Sequence, residues 1–272
     1  MDKLSVIESL FGIRRALIGV VHLQALPGTP DNKLDIAAIT SMAVDDARQY
    51  RDAGFQGVMI ENTHDRPYLK TSVGPEITAA MAIIGAEIWR ATELPLGVQV
   101  LAGANSCALA AALACGASFV RVEGFVFAHV ADEGLIEASA GALLRYRRAI
   151  GADRIRVFAD VKKKHSAHAI TADVDIVETA KAAEFFLVDG VIVTGVSTGS
   201  PADPDEVNSV GREVSIPTLV GSGITTENIK SYPGADAFIV GSSIKKDGRW
   251  SSTIDLDRAR RLVAAFRDSP PS

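Results

Sequence analysis

Two adjacent segments, Pro217–Thr225 (PTLVGSGIT) and Ala237–Ser243 (AFIVGSS), restrict the possible folds more than any other feature of the chain. Each is a short apolar strand ending in a small-residue turn, and each turn is expected to lead into a helix. Such turns expose backbone N–H groups, which suits an anion such as phosphate. In (β/α)8 barrels the loops after strands 7 and 8 often form a phosphate site at the C-terminal face. Taking the two segments as strands 7 and 8 requires six more strands upstream.

Six are found. β-branched and apolar runs place strands at Leu17–Val21, Gly57–Glu61, Leu96–Val100, Phe119–Glu123, Ile155–Asp160 and Gly190–Thr194, before Thr218–Gly221 and Ala237–Gly241. Between them, Ile39–Ala53, Ser106–Gly116, Leu135–Ile150, Ile176–Phe186 and Leu256–Phe266 have helical periodicity. Asp203 before Pro204, and Asp255, supply N-caps, while Gly54, Gly116 and Gly151 stand where helices should stop. Alternation of strand and helix implies parallel pairing, and eight units in 272 residues favour a closed barrel over an open sheet. The predicted fold class is α/β, a single (β/α)8 TIM barrel over about 17–267, with residues 1–16 a short helical extension against its bottom or rim.

Composition narrows the function classes. A net charge of −5 disfavours nucleic acid and anionic membranes as partners. No apolar run approaches a membrane span, and the N-terminus lacks the apolar core of a signal peptide. Cys107 and Cys115 have neither CxxC nor zinc spacing and read as packed free thiols, which fits a reducing cytoplasm. The pairing habits of barrels point to a homo-oligomer.

Alternate strand residues point into a barrel, so those at the C-terminal strand ends line its mouth. That rule gathers His22, Glu61, Gln99, Arg121, Glu123, Asp160, Lys162, Thr194 and Ser222. Burying such a ring requires pairing, a ligand or chemistry. Asp160 and Lys162 share a parity, so Lys162 is expected to face the mouth as a Schiff-base nucleophile or acid/base, with Asp160 or Glu123 moving a proton beside it. Lys163 reads as a solvated loop residue. His165 reads either as a loop acid/base or as a surface histidine. The catalytic candidates are therefore Lys162, Asp160, Glu123, His22, Glu61, Arg121 and His165.

The expected anion site consists of Gly221, Ser222 and Gly223 with Gly241, Ser242 and Ser243. Thr194, Gly195, Thr198 and Gly199 form a third wall. Gly195–Gly199 also matches G-x-S-x-G literally, but Ser200–Pro204 delays the helix a nucleophile elbow needs. Gly221-x-Gly223 lacks the third glycine of a dinucleotide fingerprint, and no Walker lysine motif occurs, so no cofactor is implied. His22, Glu61, Asp160 and His165 could together hold a divalent ion, but no local spacing supports a metal.

Several stretches together resemble the BtpA family, and more narrowly its SgcQ-like branch. They are 19–28 (GVVHLQALPG), Glu61-Asn62, 65–67 (DRP), 119–122 (FVRV), 132–134 (DEG), 159–165 (ADVKKKH) and 194–199 (TGVSTG), within a resemblance spanning about residues 15–265. The resemblance implies a barrel. Cyanobacterial members are linked to photosystem I biogenesis, and the SgcQ-like branch to carbohydrate uptake and sugar metabolism. The chain has Gln99 and Glu123 where the BtpA-type pattern has Asn, and Ala102–Ala104 where it has polar residues. The expected function is an enzyme on a small phosphorylated sugar or related metabolite, of isomerase, epimerase or aldolase/lyase type. The alternatives are a non-catalytic assembly factor and a metal-assisted hydrolase.

Overall fold

The computed structural model describes residues 3–195, 197 and 199–269. Its eight barrel strands are β1 (Ala16–His22), β2 (Gly57–Glu61), β3 (Leu96–Gln99), β4 (Phe119–Val122), β5 (Arg156–Val161), β6 (Gly190–Val193), β7 (Thr218–Val220) and β8 (Ala237–Val240). Each pairs in parallel with its neighbours, and β8 closes onto β1 through Ala16–Ala237 to Gly19–Val240. The strands coincide with the sequence-predicted runs to within two residues at either end.

The helices are α1 (Lys3–Phe11), α2 (Ile36–Ala53), α3 (Pro75–Thr92), α4 (Asn105–Cys115), α5 (Ala140–Ala149), α6 (Ile176–Phe185), α7 (Pro204–Glu213) and α8 (Leu256–Arg267). The Asp203 and Asp255 carboxylates cap α7 and α8 as their sequence implies. Gly54 and Gly116 end α2 and α4 in the left-handed conformation, which costs glycine no Cβ clash.

Inside the barrel, Ile18, Val20, Met59, Phe119, Phe158, Ile192, Leu219 and Ile239 form one buried cluster with Val6, Ile7 and Phe11 of α1. The N-terminal helix therefore plugs the end of the barrel where the strands begin. Gly57, first in β2, makes room for it: a Cβ there would lie 2.6 Å from the Phe11 ring. A second, larger apolar layer lies between strands and helices.

Two expectations fail. The predicted helix Leu135–Ile150 starts only at Ala140. Gly134, at φ 101°, turns the chain so that Gly134–Ile136 pairs antiparallel with His129–Ala131. Ser166–Ala167 adds a third strand. This small sheet ties the loop after β5 to the loop after β4 above the barrel. Nor do the turns after β7 and β8 lead straight into α-helices. They enter 3-10 turns at Ile229–Ser231 and Ser242–Ile244, and the next α-helix is α8. After β7, Thr225 and Asn228 exchange capping hydrogen bonds (2.8 and 3.3 Å), but Pro233 restricts the residue before it and stops the turn from growing.

Candidate functional site

The mouth of the barrel is a cavity of about 200 Å³. The strand-end residues share the inward parity of the apolar cluster below them, so Glu61, Gln99, Arg121, Glu123 and Asp160 are buried there, with His22 beside them. Tyr68, Lys163, Lys164, His165 and Trp250 complete its wall.

Arg121 organises one side. Its Nε and Nη2 donate to the two carboxylate oxygens of Asp160 at 2.9 Å each, and Nη1 donates to Glu61 Oε1 at 3.4 Å. Bidentate pairing fixes the guanidinium plane. Burial opposes the charge on Arg121, but Asp160 and Glu61 more than offset it and push its pKa up. Burial raises the pKa of both carboxyls, against the pull of Arg121. On the other side Lys163 Nζ donates to Glu123 Oε2 at 3.1 Å, and Gln99 Nε2 donates to Glu123 Oε1 at 3.2 Å. With its amide nitrogen so committed, Gln99 Oε1 is a buried acceptor without a partner among the described residues. Such an orphan suits a hydroxyl or water donor.

His22 Nδ1 donates to the Trp250 carbonyl at 3.0 Å, because a carbonyl can only accept. This leaves the lone pair on Nε2, which sits 4.0 Å from Glu61 Oε2. Burial, then Lys245, holds the imidazole well below the usual histidine range. Nε2 of the neutral ring can accept a proton, and Glu61, when protonated, can donate one.

The lysines differ from their sequence-predicted placement. β5 ends at Val161, and Lys162 has φ 44°, so strand alternation stops one residue before it would aim Lys162 at the mouth. Its Nζ instead donates to the Thr171 carbonyl at 3.1 Å, outside the mouth cavity. Lys163, expected in solvent, is the buried partner of Glu123. Lys164 completes the exchange: its Nζ donates to Ser222 Oγ at 3.4 Å and its backbone N–H to Thr194 Oγ1 at 3.1 Å. Burial, reinforced by Arg121, lowers its pKa. His165 is exposed on the rim, also left-handed at φ 53°.

The turns after β6, β7 and β8 do come together. Gly199 N–H donates to Ser222 Oγ at 3.3 Å. The glycines serve packing first: a Cβ on Gly195 or Gly223 would lie 2.3 Å from the Ser200 carbonyl oxygen, and one on Gly221 2.7 Å from Ile239. Gly241 lets His22 approach, since a Cβ there would be 3.0 Å from its ring. Among the described residues, the backbone N–H groups of Ser222, Gly223, Ser242 and Ser243 nevertheless have no backbone acceptor. Among the described residues Ser243 Oγ is buried without a partner, and Ser243 lines a neighbouring groove with Thr225, Arg258 and Arg261. The predicted contact residue Thr198 lies outside the described residues. Ser197 Oγ bonds Ser200 Oγ at 2.6 Å, and no α-helix follows before Pro204, so the geometry of a nucleophile elbow is not met. Among the described residues no three His, Cys, Asp or Glu side chains converge as metal ligands.

Sequence reasoning missed Lys164, Tyr68 and Trp250. Lys164 carried a signal in its KKK run; Trp250, twenty-eight residues past Ser222 in number and beyond β8, carried none.

Residues 13–268 match the model of the BtpA family. An uncharacterised mitochondrial protein of Caenorhabditis elegans is 44% identical over 264 residues, 95% of each chain. An uncharacterised protein of Archaeoglobus fulgidus is 37% identical, covering 94% of this chain and all of that one. The photosystem I biogenesis protein BtpA of Synechocystis is 32% identical, over 95% of this chain and 90% of that one. Thiamine phosphate pyrophosphorylase from Pyrococcus furiosus superposes with a TM-score of 0.60 at 14% identity, over 97% of this chain and 98% of that one, which is a likeness of fold. No helix among the described residues is long and apolar enough to cross a membrane.

Proposed function

The chain belongs to the BtpA family, and we propose that it is an enzyme acting on a small phosphorylated sugar or related hydroxylated metabolite, of isomerase, epimerase or lyase type. The observation that carries this reading is Lys164, whose ammonium touches the Ser222 turn while its charge is felt by Glu61 and Asp160. One residue thus joins a set of unpaired amides to an acid/base pair. The phosphate accepts from the N–H groups of Ser222, Gly223, Ser242 and Ser243, with Lys164 supplying charge. A sugar hydroxyl donates to the orphan Gln99 Oε1. His22 Nε2 removes a proton from the carbon beside the substrate carbonyl while the Glu61 carboxyl protonates the carbonyl oxygen. The resulting enediol takes the proton back from His22 Nε2 at the former carbonyl carbon while its other hydroxyl gives a proton to the Glu61 carboxylate, which restores both groups. Arg121 holds Glu61 in place and is itself held by Asp160. Lys162, turned away from the mouth, has no part in this scheme.

The working protein is cytoplasmic or in another reducing compartment, its two thiols free, and pairs with copies of itself.

A panel of sugar monophosphates in a thermal-shift assay tests the proposal. At a hundredfold excess over Kd, binding stabilises by about 2.7 kcal/mol, a rise in Tm of about 5 °C for a chain of this size. Lys164→Met should abolish most of that rise, and Ser222→Ala, which keeps the backbone N–H but removes the oxygen that Lys164 and Gly199 bond, should reduce it. The reading fails if no sugar phosphate stabilises the protein, or if both variants respond like the wild type. The name of the Synechocystis relative favours a second reading, an assembly factor. That reading predicts a stable protein partner whose capture survives Glu61→Gln and Lys164→Met.

A further inference from the structure

A second cavity, of about 120 Å³, lies on the other side of His22, between α2 and the loop after β8. Lys245 lines it. This side chain belongs to neither the acid/base pair nor the phosphate turns, yet the residue is 2% exposed. Among the described residues its ammonium has no hydrogen bond and no carboxylate within ion-pair distance. Lysine is almost never buried so completely without a partner.

The backbone around Lys245 is pinned. Its N–H closes the 3-10 turn onto the Ser242 carbonyl at 3.0 Å, and the residue bridges antiparallel to Ile254. The opposite wall is one face of α2, where Ile39, Ala43 and Asp46 stand four and three residues apart. Ile39 and Ala43 are buried and apolar, and Asp46 is the one carboxyl in a lining that also includes His22, His64 and the hydroxyls of Ser251, Ser252 and Thr253. Burial drives the Lys245 ammonium below the ordinary lysine range, against the pull of Asp46 and Glu61. Burial also pushes the Asp46 carboxyl up, so that it holds its proton longer. The rim includes exposed Met42 and Ser251, so the cavity opens to solvent.

A lysine amine buried away from water and close to a carboxyl acid is an activated nucleophile. We propose that Lys245 is a reactive amine that forms an imine with a small aldehyde or ketone in this cavity, with Asp46 as the proton carrier. The Nζ lone pair attacks the carbonyl carbon, and the amine proton passes to the former carbonyl oxygen. Asp46 then protonates that hydroxyl, which leaves as water as the nitrogen lone pair forms the C=N bond, and the iminium N–H returns its proton to the Asp46 carboxylate. Carbonyl compound and amine give imine and water, with no oxidant or reductant consumed. The inference does not depend on a phosphate at the turns, because the cavity is separate from them.

Reductive trapping with hydroxyacetone and borohydride, followed by peptide mapping, tests it. This ketone carries no phosphate, so its result is independent of the sugar-phosphate panel. The expected outcome is an adduct at Lys245 formed at least about tenfold faster than at exposed Lys33 or Lys246, a difference of about 1.4 kcal/mol in barrier. Lys245→Arg, which keeps the charge and cannot form the imine, should lose that adduct alone. Asp46→Asn should slow labelling of Lys245 while leaving the surface lysines unchanged. Adducts spread evenly over exposed lysines overturn the proposal, and because this is read on the wild-type protein it holds even if a variant misfolds. Absence of a Lys245 adduct, with stabilisation by inorganic phosphate that Lys245→Met removes, overturns it in favour of an anion subsite.

Discussion

Replacing Arg121 by Met keeps the length of the side chain and removes the only cation that Asp160 contacts within ion-pair distance among the described residues. The loss strands two carboxylates at once, because Arg121 bonds Asp160 through two nitrogens at 2.9 Å and Glu61 through a third at 3.4 Å. Their side chains are 1% and 11% exposed, so water cannot take over the guanidinium's role. Breaking a buried pair from one side costs about 3–5 kcal/mol. For a chain of this size that is a fall in Tm of about 6–10 °C. Thermal and urea unfolding at pH 8 and pH 5 would read it. Both carboxyls already have raised pKa values from burial, and without Arg121 they rise further, so at pH 5 each can shed its charge by taking a proton. The deficit of Arg121→Met should therefore shrink from pH 8 to pH 5. The double variant Arg121→Met/Asp160→Asn should recover part of it at pH 8 and less at pH 5. A deficit below about 1 kcal/mol, the size of an exposed pair, or one equal at the two pH values, would refute the reasoning.

His129 is buried with Nε2 unpartnered among the described residues, and burial, then Lys163 and His168, holds its pKa at about 4. The unfolded chain takes a proton near 6.5, so stability is full above that pH and declines as pH falls towards 4, by about 3 kcal/mol. Urea titrations of His129→Gln should lack that part of the acid slope; an unchanged slope counts against a neutral His129. Gly241→Ala places a methyl 3.0 Å from the His22 ring and should impair ligand response or turnover while costing no more than about 1–2 kcal/mol of stability. If ligand response is untouched, His22 is not a working base. Gly223→Ala combines φ 77° with a contact of 2.3 Å to the Ser200 carbonyl and should lower stability whether or not phosphate binds, by at least about 1–2 kcal/mol. A neutral result would mean that the loop after β6 does not pack on this turn.

The eight strands were legible because a barrel strand buried on both faces is a short β-branched run, and the parity rule then selected Glu61, Gln99, Arg121, Glu123 and Asp160 correctly as inward residues. Parity failed where the strand ended. Lys162 was assigned by counting from Asp160, but a positive φ one residue past β5 rotates the chain and hands the mouth to Lys163 and Lys164. No local pattern announces that rotation, which accompanies the three-stranded sheet that ties Ser166 to Ala131. The hairpin misread as the start of a helix at Leu135 belongs to the same tertiary feature.

By itself, then, the sequence determined the alternation of strands and helices, and with it a parallel barrel and the side chains carried inward at its C-terminal end. Those are consequences of local periodicity and burial, which each segment carries independently. The tertiary structure decided which lysines meet which carboxylates, that Trp250 orients His22, that the glycine turns are tightly packed against their neighbours, and that Lys245 is enclosed without a partner among the described residues. Those depend on loops that take their shape from one another, and a contact between segments far apart in the chain leaves no periodic trace in either.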